Sequence, residues 1–319
     1  MSTKPSSASS STSLPTSLLW TVGLPTTFAG LVYYSPPTAA LTPVLLSPTI
    51  LAAWQYRGLP REKSGSAEVA TWTYVGISLL GPLVAGTLQL SLISIMFKAF
   101  FGAQRNDYMR ELQRVTLENV PADIIEARQQ MAWTPKYFAA LAVFSYLGAG
   151  LVEEGIKYIA LRLAVFRARP KHELEYLVYA AMTGLGYATI ENIVFTRACI
   201  EKGDSTGMLV LTLFERIIFA SIGHTIMALL SGLQSIRRDA RGEKLPVWRV
   251  IARAVAYHGT WDFALFSLSA WNGNVGWIHP TDVKSILLGF SPVVALQGYA
   301  VWDFMTQLKE LRLRSCEQS

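Results

Sequence analysis

Cysteine is almost missing: Cys199 and Cys316 are the only two in 319 residues. A lone, distant pair excludes a disulfide framework and a thiolate metal site. Charge is scarce too, with only 16% Asp, Glu, Lys and Arg against about 25% in average globular chains. Histidine stops at four, His172, His224, His258 and His279, and the H-E-x-x-H spacing of soluble zinc proteases does not occur. The formal charge of +6 is spread over short connectors such as Arg167-Ala168-Arg169 and Arg237-Arg238. No basic cluster is interleaved with aromatics in a soluble module, so no nucleic-acid partner is expected. Nor does a basic region precede a cleavable apolar core at the N-terminus, so no signal peptide is expected.

Hydrocarbon is what the chain has in surplus. Hydrophobic residues make up 51% of it and fall in long blocks, the mark of an all-α, polytopic membrane helical bundle. Residues 1–16 form a Ser/Thr/Pro-rich tail expected to be disordered. Leading transmembrane helices are expected within 17–97, namely Leu18–Tyr34, Ala39–Tyr56 and Thr71–Phe97. The first two are short and interrupted by Pro25, Pro43 and Pro48. Residues 98–136 read as an amphipathic polar connector, a helical hairpin on the membrane surface. A four-helix core follows over 137–270, in the spans Tyr137–Phe166, Tyr176–Thr196, Met208–Leu233 and Trp248–Ala270. Residues 271–319 hold a last span, Val283–Met305, and a basic tail. The total is about eight transmembrane helices, or six if the first two do not span. Basic linkers at 57–70, 167–175 and 236–247 and the basic C-terminal tail place both termini in the cytoplasm. The 98–136 connector is the exception, with six basic and five acidic residues on the outer side.

Ionisable groups inside the core spans are the informative feature. The run Tyr137–Phe166 contains Glu153, Glu154 and Lys157, each costing about 2.5–3.5 kcal/mol at the centre of a membrane helix. Such groups persist only where they face a protein interior or a wet cavity. Lys157 follows Glu153 by four residues and Glu154 by three, so it can reach either carboxylate. Measured from the cytoplasmic end of each span at about 1.5 Å per residue, Glu153 and Lys157 lie roughly 21 and 15 Å deep. Glu191 lies about 24 Å deep, His224 about 18 Å, and His258 and Asp262 about 15 and 21 Å. Four helices thus set polar groups in one layer of a core about 30 Å thick. Glu215-Arg216 falls near the outer boundary, where an interfacial ion pair is expected, and Asn192 suits a helix–helix hydrogen bond. His258 and Asp262, four apart, share a helix face, which suits metal coordination or a carboxylate orienting a histidine; Gly259 between them permits close approach.

Two classes of function use such a layer. One is a membrane-embedded peptidase. The other is a proton- or cation-coupled transporter, in which Glu, His and Asp form a relay; no internal inverted repeat supports it.

The residues also resemble a known family. Glu153-Glu154-x-x-Lys157 is similar to the EExxK motif of the PrsW intramembrane proteases, which share a superfamily with CAAX prenyl endopeptidases and bacteriocin-processing membrane proteins. Tyr187…Glu191-Asn192 resembles that family's FxxxE-Asn motif with Tyr in place of Phe, Arg216…His224…Gly232 its histidine helix, and His258…Asp262 its HxxxD motif. All four occur in order over residues 148–265. The resemblance implies hydrolysis of peptide bonds of membrane-associated protein or peptide substrates, in or beside the lipid bilayer. It implies catalytic roles for Glu153, Glu154, Lys157, Glu191, His224, His258 and Asp262, with Glu153 as general base. It leaves two mechanisms open: Zn²⁺ on His224, His258 and Glu191, or a water positioned without metal.

Overall fold

The computed structural model describes residues 22–60, 64–114, 116–117, 120–280 and 282–317. The tail expected at 1–16 lies outside them. Among the described residues all regular structure is helical. The chain divides into a short leading unit, Met1–Pro43, and a main unit, Val44–Ser319. In the leading unit α1 spans Leu24–Tyr34, with a proline in its first turn, where the missing N–H has no intrahelical partner to lose. Eleven residues at 1.5 Å each reach only about 16 Å, so the described part of this run is too short to cross a bilayer. Helix α2 (Pro36–Leu45) starts in that unit and continues through a single turn into α3 (Ser47–Arg57).

The main unit is built on α4 (Ala67–Phe101), which Ser66 caps by accepting from the Val69 amide. Two short helices follow, α5 (Arg105–Leu112) and α6 (Ala122–Ala132). Then α7 (Pro135–Val143) passes through a π-helical stretch, Phe144–Leu151, into α8 (Val152–Ala168). After α9 (Glu173–Glu201), α10 (Thr206–Phe214) passes through a second π stretch, Glu215–Ala220, into α11 (Ser221–Asp239). The bundle closes with α12 (Val247–Trp271) and α13 (Val283–Glu317).

Among the described residues, five stretches are long and apolar enough to cross a membrane: Pro36–Arg57, Ala67–Leu112, Pro135–Ala168, Thr206–Asp239 and Val283–Leu313. Helices α9 and α12, with 29 and 25 residues, are long enough but less apolar. For α9 its position explains why. Helix α9 is buried in consecutive runs, Glu175–Ala180 and Thr183–Thr189, because α4, α8 and α11 pack around it. A helix screened by its neighbours can carry polar residues at little cost. Outward faces are different: Leu79, Leu80, Leu83, Leu88, Leu90 and Ile95 of α4 are all exposed, as lipid contact requires.

Two apolar clusters hold the ends of the bundle. One joins Val69, Ala70, Leu161, Val165, Tyr176, Tyr179, Leu233 and Ile236; the other joins Met96, Phe97, Phe101, Tyr108, Tyr137 and Ala270. Along the continuous run of α7, the π stretch and α8, Glu153, Glu154 and Lys157 fall between Tyr137, Ala140 and Leu141 of one cluster and Leu161, Ala164 and Val165 of the other. The connector helices α5 and α6 form where expected, but one charged residue of each, Glu111 and Arg128, turns into the protein. Arg128 is 1% exposed and donates to Glu111 Oε2 at 2.9 Å and to the Val275 carbonyl at 2.6 Å. A desolvated guanidinium is tolerable only with such partners, and these fasten α6 to α5 and to the loop before α13.

Candidate active site

Two close backbone approaches assemble the site. A Cβ on Gly150, in the first π stretch, would lie 2.9 Å from the Val255 carbonyl, and one on Gly259 would lie 2.4 Å from the Tyr146 ring. Helix α12 therefore presses against the segment that leads into α8, and His258 arrives beside Glu154. Likewise a Cβ on Gly184 would sit 2.6 Å from the His224 carbonyl, so α9 and α11 meet at the level of the second histidine. The π stretches end one residue before Val152 and Ser221; the widened turn re-aims the residues after it, a device common at functional sites.

Lys157 ties the two histidines together. Its ammonium donates to Glu154 Oε1 at 2.6 Å and to His224 Nδ1 at 2.7 Å, with the Tyr187 ring 4.6 Å away. An ammonium has no acceptor, so His224 Nδ1 carries no proton and Nε2–H donates to Glu191 Oε2, 2.8 Å away. His258 Nδ1 donates to the same Glu154 oxygen at 2.8 Å, which turns His258 Nε2 towards Glu153 Oε2 and Asp262 Oδ2, each 3.6 Å away. A carboxylate on one ring nitrogen, with the other left for an ion or a substrate, is the arrangement of metal-site histidines. Glu153, Glu154, Lys157, His224 and His258 are all buried.

All seven residues singled out from the sequence therefore belong to one contact network. The partner of His258 differs from the simplest expectation: Glu154 orients it by direct hydrogen bond, while Asp262 stays beyond that range. The expected interfacial pair of Glu215 with Arg216 is corrected. Adjacent residues on a helix do not face each other. Glu215 points to His279 Nε2 at 2.8 Å, and Arg216 turns inward to Glu191 and to Asn192 Oδ1 at 2.9 Å. Asn192 does make the expected interhelical bond, donating to Ser221 Oγ at 2.9 Å. His279, in the loop before α13, is drawn down by burial, but the hydrogen bond and charge of Glu215, with the Pro280 carbonyl, together raise its pKa above the ordinary value.

Two residues escaped the sequence reading. Arg216 was visible, both in the expected pair with Glu215 and at the head of the histidine helix, but its bond to Glu191 was not. Gln89 of α4 donates to Glu153 Oε1 at 2.9 Å; a neutral amide in a leucine-rich helix carries no signal of its own.

The cluster suits a divalent metal. Glu153, His224 and His258 each bring a ligand atom within 4.8 Å of the others. The 3.6 Å between Glu153 Oε2 and His258 Nε2 approximates the roughly 3.4 Å between two ligands of a tetrahedral ion with bonds of about 2.1 Å. Glu153 Oε2 and Glu154 Oε2 are buried without a hydrogen-bond partner, which is costly unless another group satisfies them.

Residues 115–297 match the family described as PrsW family intramembrane metalloprotease. The chain belongs to that family. It is also similar to Protease PrsW of Bacillus subtilis (strain 168), 28% identical over 131 residues that make up 40% of this chain and 56% of the relative. A second relative, Protease PrsW of Clostridioides difficile (strain 630), is 26% identical over 139 residues, 42% of this chain and 56% of its own length. The chain thus spans little more than half the length of these curated relatives. No solved structure matches. The PrsW match contains every residue of the cluster except Gln89. Membership of a protease family disfavours the transporter reading.

Proposed function

We propose that this chain is a membrane-embedded endopeptidase that hydrolyses peptide bonds of membrane-associated proteins. The observation that carries the reading is the unpartnered, buried Glu153 Oε2 lying 3.6 Å from His258 Nε2. A water bridging those atoms has a proton acceptor on one side and a nitrogen on the other, the pair needed for attack on a carbonyl. Glu153 takes the proton. Glu154 holds His258 in the tautomer that leaves Nε2 facing Glu153, and Lys157 balances the Glu154 charge while fixing His224. Arg216, itself held by Asn192, keeps Glu191 against His224, and Asp262 lies 3.6 Å from the same His258 nitrogen that Glu153 faces.

His258 Nε2 and the Glu153 carboxylate would hold a zinc ion, and His224 would join them by giving up one of the bonds its ring nitrogens make to Lys157 and to Glu191, the ligand suggested by sequence. A bound zinc would supply a Lewis acid and bring the pKa of its water to about 7. The low polarity of the surrounding helices strengthens every charge interaction in the site.

In this reading α9 and α12 also cross the membrane, which with the five more apolar stretches brings the count towards eight. Both termini face the cytoplasm. Substrates reach the cluster through the bilayer.

Two measurements test the proposal together. Purified protein in detergent is assayed for zinc by elemental analysis. It is also reconstituted with single-span reporter proteins tagged at both ends, and cleavage is scored on gels. The wild type should cut and carry about one zinc per chain; His258→Ala should lose both. A His258→Ala protein that cuts at the wild-type rate would overturn the assignment.

A further inference from the structure

The inward stripe of α4 is made of small and apolar residues. Ile77, Ser78, Gly81, Ala85, Met96 and Phe97 are buried there, at spacings that keep them on one helix face. Gln89 continues that stripe four residues after Ala85 and is flanked by exposed Leu88 and Leu90. An amide at this depth is costly without partners, and α4 offers none along its own face. Its Nε2 donates to Glu153 Oε1 at 2.9 Å, across from α8. Against an ionised carboxylate, which only accepts, the amide nitrogen is the end that must face Glu153.

The bond has a directional consequence. With Oε1 engaged by Gln89, the Glu153 carboxyl group cannot rotate freely, and Oε2 is left without a partner, on the side of His258 Nε2. One oxygen is anchored and the other is presented. We propose that Gln89 is a positioning residue for Glu153, so that a helix outside the family-matched segment, which begins at residue 115, completes the hydrolytic site. The proposal rests on the endopeptidase reading above. It implies that residues 115–297 alone do not define a fully active centre in this chain. Partners that fix a ligating or reacting side chain from behind typically matter by about 10–100-fold in activity or metal affinity.

Gln89→Met tests this, because methionine keeps the length of the side chain and removes the donor. Kinetics are measured in liposomes with the doubly tagged reporter, zinc affinity by competition with a chelator, and folding by the thermal transition in detergent. The expected result is a kcat about 10–100-fold lower, a KM within about twofold, weaker zinc binding by a similar factor, and an unchanged thermal transition. A side chain that merely packs would leave kcat untouched in this shape-preserving variant. Gln89→Asn, which keeps the amide but withdraws it by one methylene, should lower kcat in the same way, and it serves if the methionine variant does not fold. Wild-type kcat in a folded variant overturns the proposal, as does a kcat that falls only in step with the thermal transition in both variants. Glu153→Gln separates the two failures. If it is inactive while Gln89→Met is unimpaired, only the role of Gln89 falls. A wild type that neither cuts nor binds zinc overturns the endopeptidase reading and this proposal with it.

Discussion

Replacing Lys157 by methionine should destabilise the protein more than any other change in the site. The ammonium is 1% exposed, bonded to Glu154 Oε1 at 2.6 Å and His224 Nδ1 at 2.7 Å. Methionine fills nearly the same volume, so little of the effect would come from a cavity. What remains is Glu154, buried and ionised, with only the His258 N–H as a partner. Removing one member of a buried ion pair costs about 3–5 kcal/mol. At about 2–4 °C per kcal/mol this lowers the unfolding midpoint by something on the order of 10 °C. A thiol-reactive dye can report the transition through Cys199, which is free and buried, in a Cys316→Ser background. Adding Glu154→Gln removes the stranded charge, and replacing both members of a buried pair is often close to neutral. The double variant should therefore recover most of the loss, although it will not cut substrate. The reasoning is refuted by a Lys157→Met midpoint within a degree or two of wild type, or by a double variant no more stable than the single one.

Three further outcomes follow from the geometry. Gly184→Ala puts a Cβ 2.6 Å from the His224 carbonyl and 2.7 Å from Thr225 Cα; backbone cannot yield locally, so α9 and α11 must separate, costing about 1–3 kcal/mol and lowering cleavage together with the midpoint. Arg216→Leu strips Glu191 and Asn192 of their shared donor, and reporter cleavage should fall by at least about tenfold while insertion, checked by membrane extraction, persists; a loss of about 2 kcal/mol is expected from the stranded carboxylate. His279→Gln tests the contact with Glu215: because that contact raises the histidine's pKa, its stabilisation is complete below the ordinary value of about 6.5 and fades as pH climbs through the raised native value. The midpoint gap between wild type and His279→Gln should therefore be widest at mildly acidic pH and narrow under alkaline conditions. A gap that widened with pH would contradict the assignment.

Much of this centre was legible in the sequence because hydrocarbon makes charge conspicuous. Glu153, Glu154, Lys157, Glu191, His224, His258 and Asp262 stand out against apolar runs, and depth alone placed them in one layer. The i, i+3 spacing of Glu154 and Lys157 is realised as an ion pair, and Gly259 does mark a close approach, against Tyr146. Pairing between helices was less legible. Whether Glu154 or Asp262 orients His258 depends on how closely α12 approaches the Gly150 segment. Which way Arg216 points depends on the π stretch it sits in, where a straight 3.6-residue period misplaces side chains. Gln89 was invisible because its importance lies entirely in where α4 packs. The difference between the eight expected spans and the five sufficiently apolar stretches arises in α9, whose burial lets it carry polar residues, in α12, which is less apolar, and in α1, whose described portion is too short.

The most direct test of the account is reporter cleavage by Glu153→Gln beside wild type, each reconstituted at equal density in liposomes. The substitution keeps the shape of the side chain and the reach of Gln89 but removes the proton acceptor. The account predicts that wild type cuts the reporter and that the variant, inserted and with an unchanged thermal transition, leaves it whole. Equal cleavage by both would contradict the role of Glu153 and with it the hydrolytic centre described above.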